Sequence, residues 1–390
     1  MNLKRWVIAA IPPSLLALHN AQRLAPVPLF DEFRLRLDTD YVGVGNLFGA
    51  YLFAYALFNI PAGMLADRIN NKHLMAFGAS LSLLASAVFA MSGSYSIAIA
   101  SRFTLGIAGS FLYVPTVRYI VNSFPKGKRG SVMGFVETGA GAGMFLSLTF
   151  LPLMAKEFDL VKAFLTLPVL AALVLTGILL GLPSTQPNGA TTTHTKLALL
   201  GSNRSFWYLI IYFFLGMLAN YAVFGWLPTF LRLNFGYPAV KAGFISALVT
   251  VALSVGSPLA GTLSDRLGTR IPILLCGSFM SMVGFTLFLI CQEPMIVIGS
   301  ALLLGVSMAF TIPVLMILSG EIFGPAGAGL AVSVAATTGQ IASSFSGFIF
   351  GYAFQATNSF VSVWGLSLIL VAGAIPFLFG ARKTMSIRAD

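Results

Sequence analysis

The chain has 390 residues, of which 57% are hydrophobic and only 9% charged, with a formal net charge of +11 and a mean hydropathy of +0.89. A soluble domain carries about 25% charged residues, so a fully water-exposed surface is excluded and most of this surface must face lipid. The excess of Lys and Arg then reads as a signal for membrane orientation rather than for nucleic acid, and no nucleic-acid partner is expected.

A helix crosses a bilayer with about 20 apolar residues. Taken in chain order, apolar runs of that length fall at 6–30, 43–66, 73–92, 95–123, 131–155 and 160–182. A second set follows at 206–231, 242–264, 271–291, 294–320, 328–354 and 358–381. A barrel would need short alternating segments, so an all-α membrane protein with twelve transmembrane helices is expected. The basic start, Met1 to Arg5, precedes an apolar run but no small-residue cleavage site, and is read as a retained first helix. Arg34 and Arg36 sit among Asp31, Glu32, Asp38 and Asp40, which suggests a solvated turn after the first span.

Polar sequence rich in Pro, Ser and Thr separates the two sets. The expected organisation is a six-helix bundle at 1–183, a linker at 184–205 and a second six-helix bundle at 206–390. The halves repeat. Gly63-Met64-Leu65-Ala66-Asp67-Arg68 closes the second span, and Gly261-Thr262-Leu263-Ser264-Asp265-Arg266 closes the eighth. Glu137-Thr138-Gly139 and Thr337-Thr338-Gly339 form a weaker pair in spans five and eleven. Parallel repeats of this kind suit two pseudo-symmetric bundles related by an axis along the membrane normal. Lys and Arg concentrate in the loops on the side of the termini, which predicts that both ends are cytoplasmic in a multi-pass protein of the plasma membrane, or of the inner membrane in a Gram-negative cell.

With two six-span halves, a polar linker and G-x-L-x-D-R at both equivalent loops, the whole chain resembles the major facilitator superfamily. The resemblance implies a secondary transporter working by alternating access, not an enzyme. It further implies that the loops carrying Asp67, Arg68, Asp265 and Arg266 latch the cytoplasmic side when that side closes. Gly63 and Gly261 would allow helices to approach closely there.

In span four, Arg102-Phe103-Thr104-Leu105-Gly106, Pro115-Thr116-Val117-Arg118 and Asn122-Ser123-Phe124-Pro125 are similar to the organic anion:cation symporter branch. That branch has an arginine in the first span, here Arg23, and another late in the fourth, here Arg118. It implies a small organic anion as substrate. The branch also carries acids where this chain has Gln22 and Gly109-Ser110, so proton symport does not follow from the resemblance.

Ionisable groups inside a span are costly and mark pathways. His19 and Asn20 share a helix face with Arg23, four and three residues away. That stripe is a candidate substrate-binding surface, the alternative being an arginine that snorkels or caps the outer helix end near Asp31. Arg118 is expected at the substrate, paired with Glu137, or snorkelling to the cytoplasm. Arg102 is either a coupling group or a packing group. Glu137 either carries a coupled proton or neutralises Arg118 or Arg102. Asn220, Tyr221, Trp226 and Gln340, with Ser307 and Ser344, are the polar candidates of the second half, although groups of this kind more often pack than bind a ligand. The glycines of span five and the serines of span eleven could form sliding faces or ordinary tight contacts. Glu321 is expected to act at a helix end or gate.

The cysteines, Cys276 and Cys291, are expected to be free thiols, and the three histidines are scattered. No metal or cofactor is expected. The expected partners are lipid, a small anionic molecule and, for a symporter, protons; a monomer is expected. The alternatives are an exporter of drug-like or amphipathic compounds, an anion exchanger or uniporter, a nitrate-type carrier, or a receptor without transport.

Overall fold

A computed structural model describes residues 3–123, 126–184, 203–290 and 293–386. No strand occurs among the described residues. The helices of the first half are α1 (Leu3–Leu24), α2 (Phe30–Arg36), α3 (Tyr41–Ala66), α4 (Asn71–Met91), α5 (Tyr95–Ser123), α6 (Lys126–Phe145), α7 (Leu151–Glu157) and α8 (Leu160–Gly181). Those of the second are α9 (Arg204–Phe235), α10 (Ala239–Leu267), α11 (Ile271–Ile290), α12 (Pro294–Glu321), α13 (Gly324–Thr357) and α14 (Phe360–Ser386). The chain divides into two compact units, Met1–Thr192 with Gly236–Phe244, and Thr193–Phe235 with Ile245–Asp390. Most of the expected linker, and with it His194, lies outside the described residues, as does Cys291. Cys276 is a free thiol, partly exposed.

Among the described residues, ten helical stretches are long and apolar enough to cross a membrane, α6 and α7 counting together as Val132–Glu157. The long helices outside that set are α1 and α13. Both are diluted by polar groups or proline: Pro12, Pro13, His19, Asn20, Gln22 and Arg23 in α1, and Thr337, Thr338, Gln340 and a run of serines in α13.

The first expected span, 6–30, is too long at its end. α1 stops at Leu24, and a single 3-10 turn (Val27–Leu29) leads into α2. Continuing the helix would require N–H groups from residues 26 and 28 to meet the carbonyls of Gln22 and Leu24. Both residues are proline and have none. α9 contains only Pro228 near its equivalent end and runs on to Phe235.

The expected solvated turn is likewise α2. Phe33 stacks on Phe89 at 5.1 Å and meets Phe164 edge-on at 4.9 Å, while Arg36 donates to the Ala90 carbonyl (3.0 Å). Side-chain caps start the neighbouring helices: Asp40 accepts from Gly43 N (2.8 Å), Asn70 from Lys72 N (3.0 Å) and Asp159 from Lys162 N (2.7 Å).

The internal repeat extends to the closest helix contacts. A methyl group on Gly106 would collide with the Tyr51 carbonyl and the Ala54 side chain; one on Gly305 would collide with the Val249 carbonyl and Ala252. Gly139 abuts Pro13, and Gly339 abuts Phe213, half a chain further on in both members. These glycines let α5 close on α3, α12 on α10, α6 on α1 and α13 on α9. In the first unit Gly139 and Gly143 thus pack within their own bundle, Gly143 against Ala17, whereas a methyl on Gly141 would meet nothing within 4 Å. The motif glycines make no such contact: an added methyl on Gly63 would reach only Val114, at 3.9 Å, and one on Gly261 would meet nothing within 4 Å.

Candidate ligand-binding site

The last turn of α1 is tied to its neighbours by several side-chain hydrogen bonds. A helix end leaves carbonyls without intrahelical donors, and here Pro26 removes the donor that Gln22 would have used. Arg102 on α5 supplies the replacement. Its Nη1 donates to the Gln22 carbonyl (2.5 Å), Nη2 to the Arg23 carbonyl (2.9 Å) and Nε to the Leu47 carbonyl of α3 (2.8 Å). The guanidinium is fully buried and lies over the Tyr51 ring, 4.8 Å from its centroid. Its charge also sits at the negative end of the α1 dipole. A π turn, Leu146–Phe150, sets Ser147 to donate to the Ala21 carbonyl. Ser82 of α4 donates to Gln22 Oε1 (2.6 Å). Proline spacing, orphan carbonyls and one planar five-donor side chain therefore fix this end of α1.

His19, Asn20 and Arg23 all lie on that fixed segment and are buried, Arg23 at 8% exposure. His19 Nδ1 is 2.9 Å from the Tyr51 hydroxyl, which also lies 2.9 Å from the His19 carbonyl. The imidazole packs against Tyr55 (centroids 4.7 Å apart) and Tyr113 (6.1 Å). Gly109 makes room: a methyl there would stand 2.6 Å from Nδ1 and 2.7 Å from the Tyr51 hydroxyl. Arg23 is within electrostatic reach of His19, Tyr51 and Tyr113. Asn20 turns back on its own helix, donating to the Leu16 carbonyl (3.0 Å).

Tyr113 lies beside Glu137 of α6, an exposed residue. The structure therefore gathers two guanidiniums, Arg23 and Arg102, with one carboxylate, one imidazole and three tyrosines from α1, α3, α5 and α6. The tyrosines were not singled out from sequence, although Tyr51 and Tyr55 stand four apart on one face of α3.

Arg118 is not with this group. It pairs with Asp67, in the loop after α3, and is neither at Arg23 nor on Glu137. The second gating loop is built differently. Arg270 bonds Asp265 (2.5 Å) and Glu321 at the end of α12 (2.7 Å), with Ser264 as a third partner (2.9 Å). Glu321 and then Asp265 hold this guanidinium well above its ordinary pKa. Arg68 and Arg266 are exposed. The arginines that engage the motif aspartates are thus Arg118 and Arg270, one outside the motif in each unit.

In the second unit Asn220 is buried. It donates to the Gly216 carbonyl (2.9 Å) and accepts from Ser281 (3.2 Å), which lies 2.8 Å from Ser307. Tyr212 joins Ser278 (2.8 Å) one level away. These groups form a neutral ladder between α9, α11 and α12. Tyr221 meets Phe224 edge-on at 5.4 Å, and Trp226 is fully buried with Phe354 at 6.2 Å. Gln340 lies on α13, with a buried Oε1 that accepts no hydrogen bond among the described residues.

Residues 5–347 match the family model of the Major Facilitator Superfamily. The chain is 25% identical to the "Probable galactarate/D-glucarate transporter GudP" of Bacillus subtilis (strain 168), over 91% of this chain and 87% of that protein. It is 21% identical to "Probable anion transporter 2, chloroplastic" of Oryza sativa subsp. japonica, over 72% of this chain but only 57% of the rice protein's length. Among solved structures, a bacterial homologue of the human lysosomal transporter Spinster superposes with a TM-score of 0.84 over 98% of both chains at 14% identity. A D-xylose–proton symporter superposes with a TM-score of 0.75 at 17% identity. At those identities the superpositions speak for the fold alone, and they agree with the family match: this chain belongs to the Major Facilitator Superfamily.

Proposed function

We propose that the chain is a secondary transporter of a small organic anion, working by alternating access, with Arg23 as the anchor for the anion. The observation that carries this reading is the placement of Arg23 on a pinned, buried turn with His19, close to Tyr51 and Tyr113. A guanidinium is always charged and matches a carboxylate in bidentate fashion. A charge buried among hydrocarbon-facing helices is costly unless it serves a pathway. Rigid anchoring through Arg102, Ser147 and Tyr51 lowers the ordering cost of binding. The printed names of two relatives, for galactarate/D-glucarate and for anions, point the same way.

Glu137 is the group we assign to proton coupling. Neither arginine expected to neutralise it does so: Arg118 holds Asp67 and Arg102 holds three carbonyls. The polar side chain beside it is Tyr113, a phenol that can donate to a carboxylate or accept from a carboxylic acid. In this reading the Asp67–Arg118 pair and the Asp265–Arg270–Glu321 cluster are gate contacts that break and re-form during the cycle. Within the second unit, Asn220, Tyr221, Trp226 and Gln340 are the neutral groups we assign to ligand contact.

The test is uptake of D-glucarate by the full chain in proteoliposomes, with D-xylose as a neutral control. Arg23→Gln should lower glucarate uptake about 30-fold, the worth of a charge-assisted pair, with Arg23→Lys between the two. Wild-type KM and rate in Arg23→Gln, or xylose uptake without anion uptake, would overturn the reading.

A further inference from the structure

His19 is held in one tautomer by Tyr51, and that tautomer decides what the imidazole can recognise. The Tyr51 oxygen lies 2.9 Å from two atoms at once, the His19 carbonyl oxygen and His19 Nδ1. A phenol has one proton to give, and a carbonyl can only accept. If the hydroxyl donated to Nδ1, its oxygen would face the carbonyl oxygen at hydrogen-bond distance with no proton between them. The consistent arrangement sends the hydroxyl proton to the carbonyl and leaves the phenol oxygen to accept from Nδ1–H. A neutral imidazole with its proton on Nδ1 keeps a bare lone pair on Nε2.

The pairing is rigid from both sides. Arg102 lies over the Tyr51 ring at 4.8 Å, and Gly109 leaves no space beyond the Nδ1–hydroxyl pair. No hydrogen bond from Nε2 is formed among the described residues. Arg23 stands one helical turn further along the same face of α1.

We propose that His19 is a specificity-determining residue, an obligate hydrogen-bond acceptor at Nε2 that selects anions carrying a hydroxyl donor near the carboxylate held by Arg23. This rests on the anion-transport reading above and adds a requirement to it. A charged carboxylate alone satisfies Arg23; only a hydroxylated one satisfies His19 as well. A site built to bond a ligand hydroxyl discriminates strongly against the analogue without it.

The experiment uses D-glucarate and its deoxygenated counterpart, hexanedioate, as competing ligands for the full chain in proteoliposomes. It is paired with nitrogen NMR of histidine-labelled protein, in which His19→Gln identifies the His19 signals among three histidines. The expected result is a protonated Nδ1 and an unprotonated Nε2 for His19 in the wild type. Wild type should prefer glucarate to hexanedioate at least ~10-fold. Tyr51→Phe should release the tautomer and erase most of that preference by weakening glucarate, leaving hexanedioate within about twofold. A proton on Nε2, or equal weakening of both acids by Tyr51→Phe, would overturn the proposal. The two readings fail separately: if Arg23→Gln spares both acids the anion reading falls, whereas loss of both acids there with no hydroxyl preference in wild type removes only the role of His19. The tautomer readout needs neither transport nor a variant with full stability, so it decides even if Tyr51→Phe folds poorly.

Discussion

The two units share their glycine contacts and differ in where they put charge. Gly106 against Tyr51 and Gly305 against Val249 are the same contact made twice, and Gly139 on the Pro13 backbone and Gly339 on the Phe213 ring stand at equivalent positions. Yet the register set by Gly106 and Gly305 puts Ala301, a buried methyl, where the first unit has the buried guanidinium of Arg102. The first unit also holds His19, Arg23 and Glu137 within its helices, whereas the ladder of the second is made of Asn220, Tyr212 and serine hydroxyls. Packing is therefore duplicated and electrostatics are not. Neutral groups that satisfy one another cost little in lipid, while an arginine is retained only where something requires its charge.

The largest effect should come from breaking the contrast at its root. Arg102→Met leaves the carbonyls of Gln22 and Arg23 without their donor and takes a second donor from the Leu47 carbonyl, which keeps its helical bond within α3. At about 1–1.5 kcal/mol for each of the two orphaned acceptors, the first unit should lose about 2–3 kcal/mol. The check is thermal unfolding of the detergent-solubilised chain. Ala301→Met in the second unit tests packing alone and should cost about 1–3 kcal/mol by overfilling without affecting ligand binding. Equal loss of anion binding in both variants would break the comparison.

Next in size are the charges themselves. Asn220→Ala should weaken uptake of D-glucarate no more than a fewfold, against about 30-fold for Arg23→Gln, because a neutral amide bond is worth about 1 kcal/mol. Glu137→Gln should abolish uphill uptake driven by a proton gradient while leaving exchange of internal for external anion intact. Uphill accumulation in Glu137→Gln at the wild-type level would remove the carboxylate from the coupling step.

Much of this was legible in the residues and some was not, for definite reasons. Helix positions followed from apolar run length, and the repeat from two Gly-to-Arg motifs. The end of α1 was misplaced because apolar Ala25, Val27 and Leu29 continue the run, although Pro26 and Pro28 remove the donors a helix would need there. The partner of Arg102 was in principle readable: a proline four residues after Gln22 declares an orphan carbonyl that some donor must meet. Which donor meets it depends on α5 crossing α1, a tertiary fact. The same holds for Arg118. Its nearest carboxylate by helix neighbourhood was expected to be Glu137, but the fold brings Asp67 to it. The three tyrosines escaped notice because each reads as an ordinary span residue until α1, α3 and α5 converge on His19.

Glycine pairs sharpen the shared half of the comparison. Gly106→Ala and Gly305→Ala each force a methyl against a backbone carbonyl and an alanine side chain on the neighbouring helix. Backbone cannot step aside as a flexible side chain can, so each should cost about 1–3 kcal/mol, and by similar amounts in the two units. Gly63→Ala and Gly261→Ala should be close to neutral in unfolding, since both sites have room. A rate defect without a stability defect at those two positions would mean that close approach occurs in another state of the transport cycle.

The smallest effect tests whether the neutral ladder is structural. Ser82→Ala and Ser281→Ala remove equivalent donors, one to Gln22 Oε1 and one to Asn220 Oδ1. Interhelical bonds of this type in membranes average about 0.6 kcal/mol, so both variants should shift unfolding only slightly. They should separate in function. Gln22 sits on the pinned turn beside Arg23, so Ser82→Ala loosens a segment that we place at the ligand, and a modest rise in KM for D-glucarate should accompany the stability loss. Ser281→Ala should leave KM unchanged, because Asn220 keeps its bond to the Gly216 carbonyl and Ser307 keeps its own to the Leu304 carbonyl. A KM effect confined to Ser281→Ala would mean that the neutral ladder, rather than the charged turn, is the part of the molecule that reads the substrate.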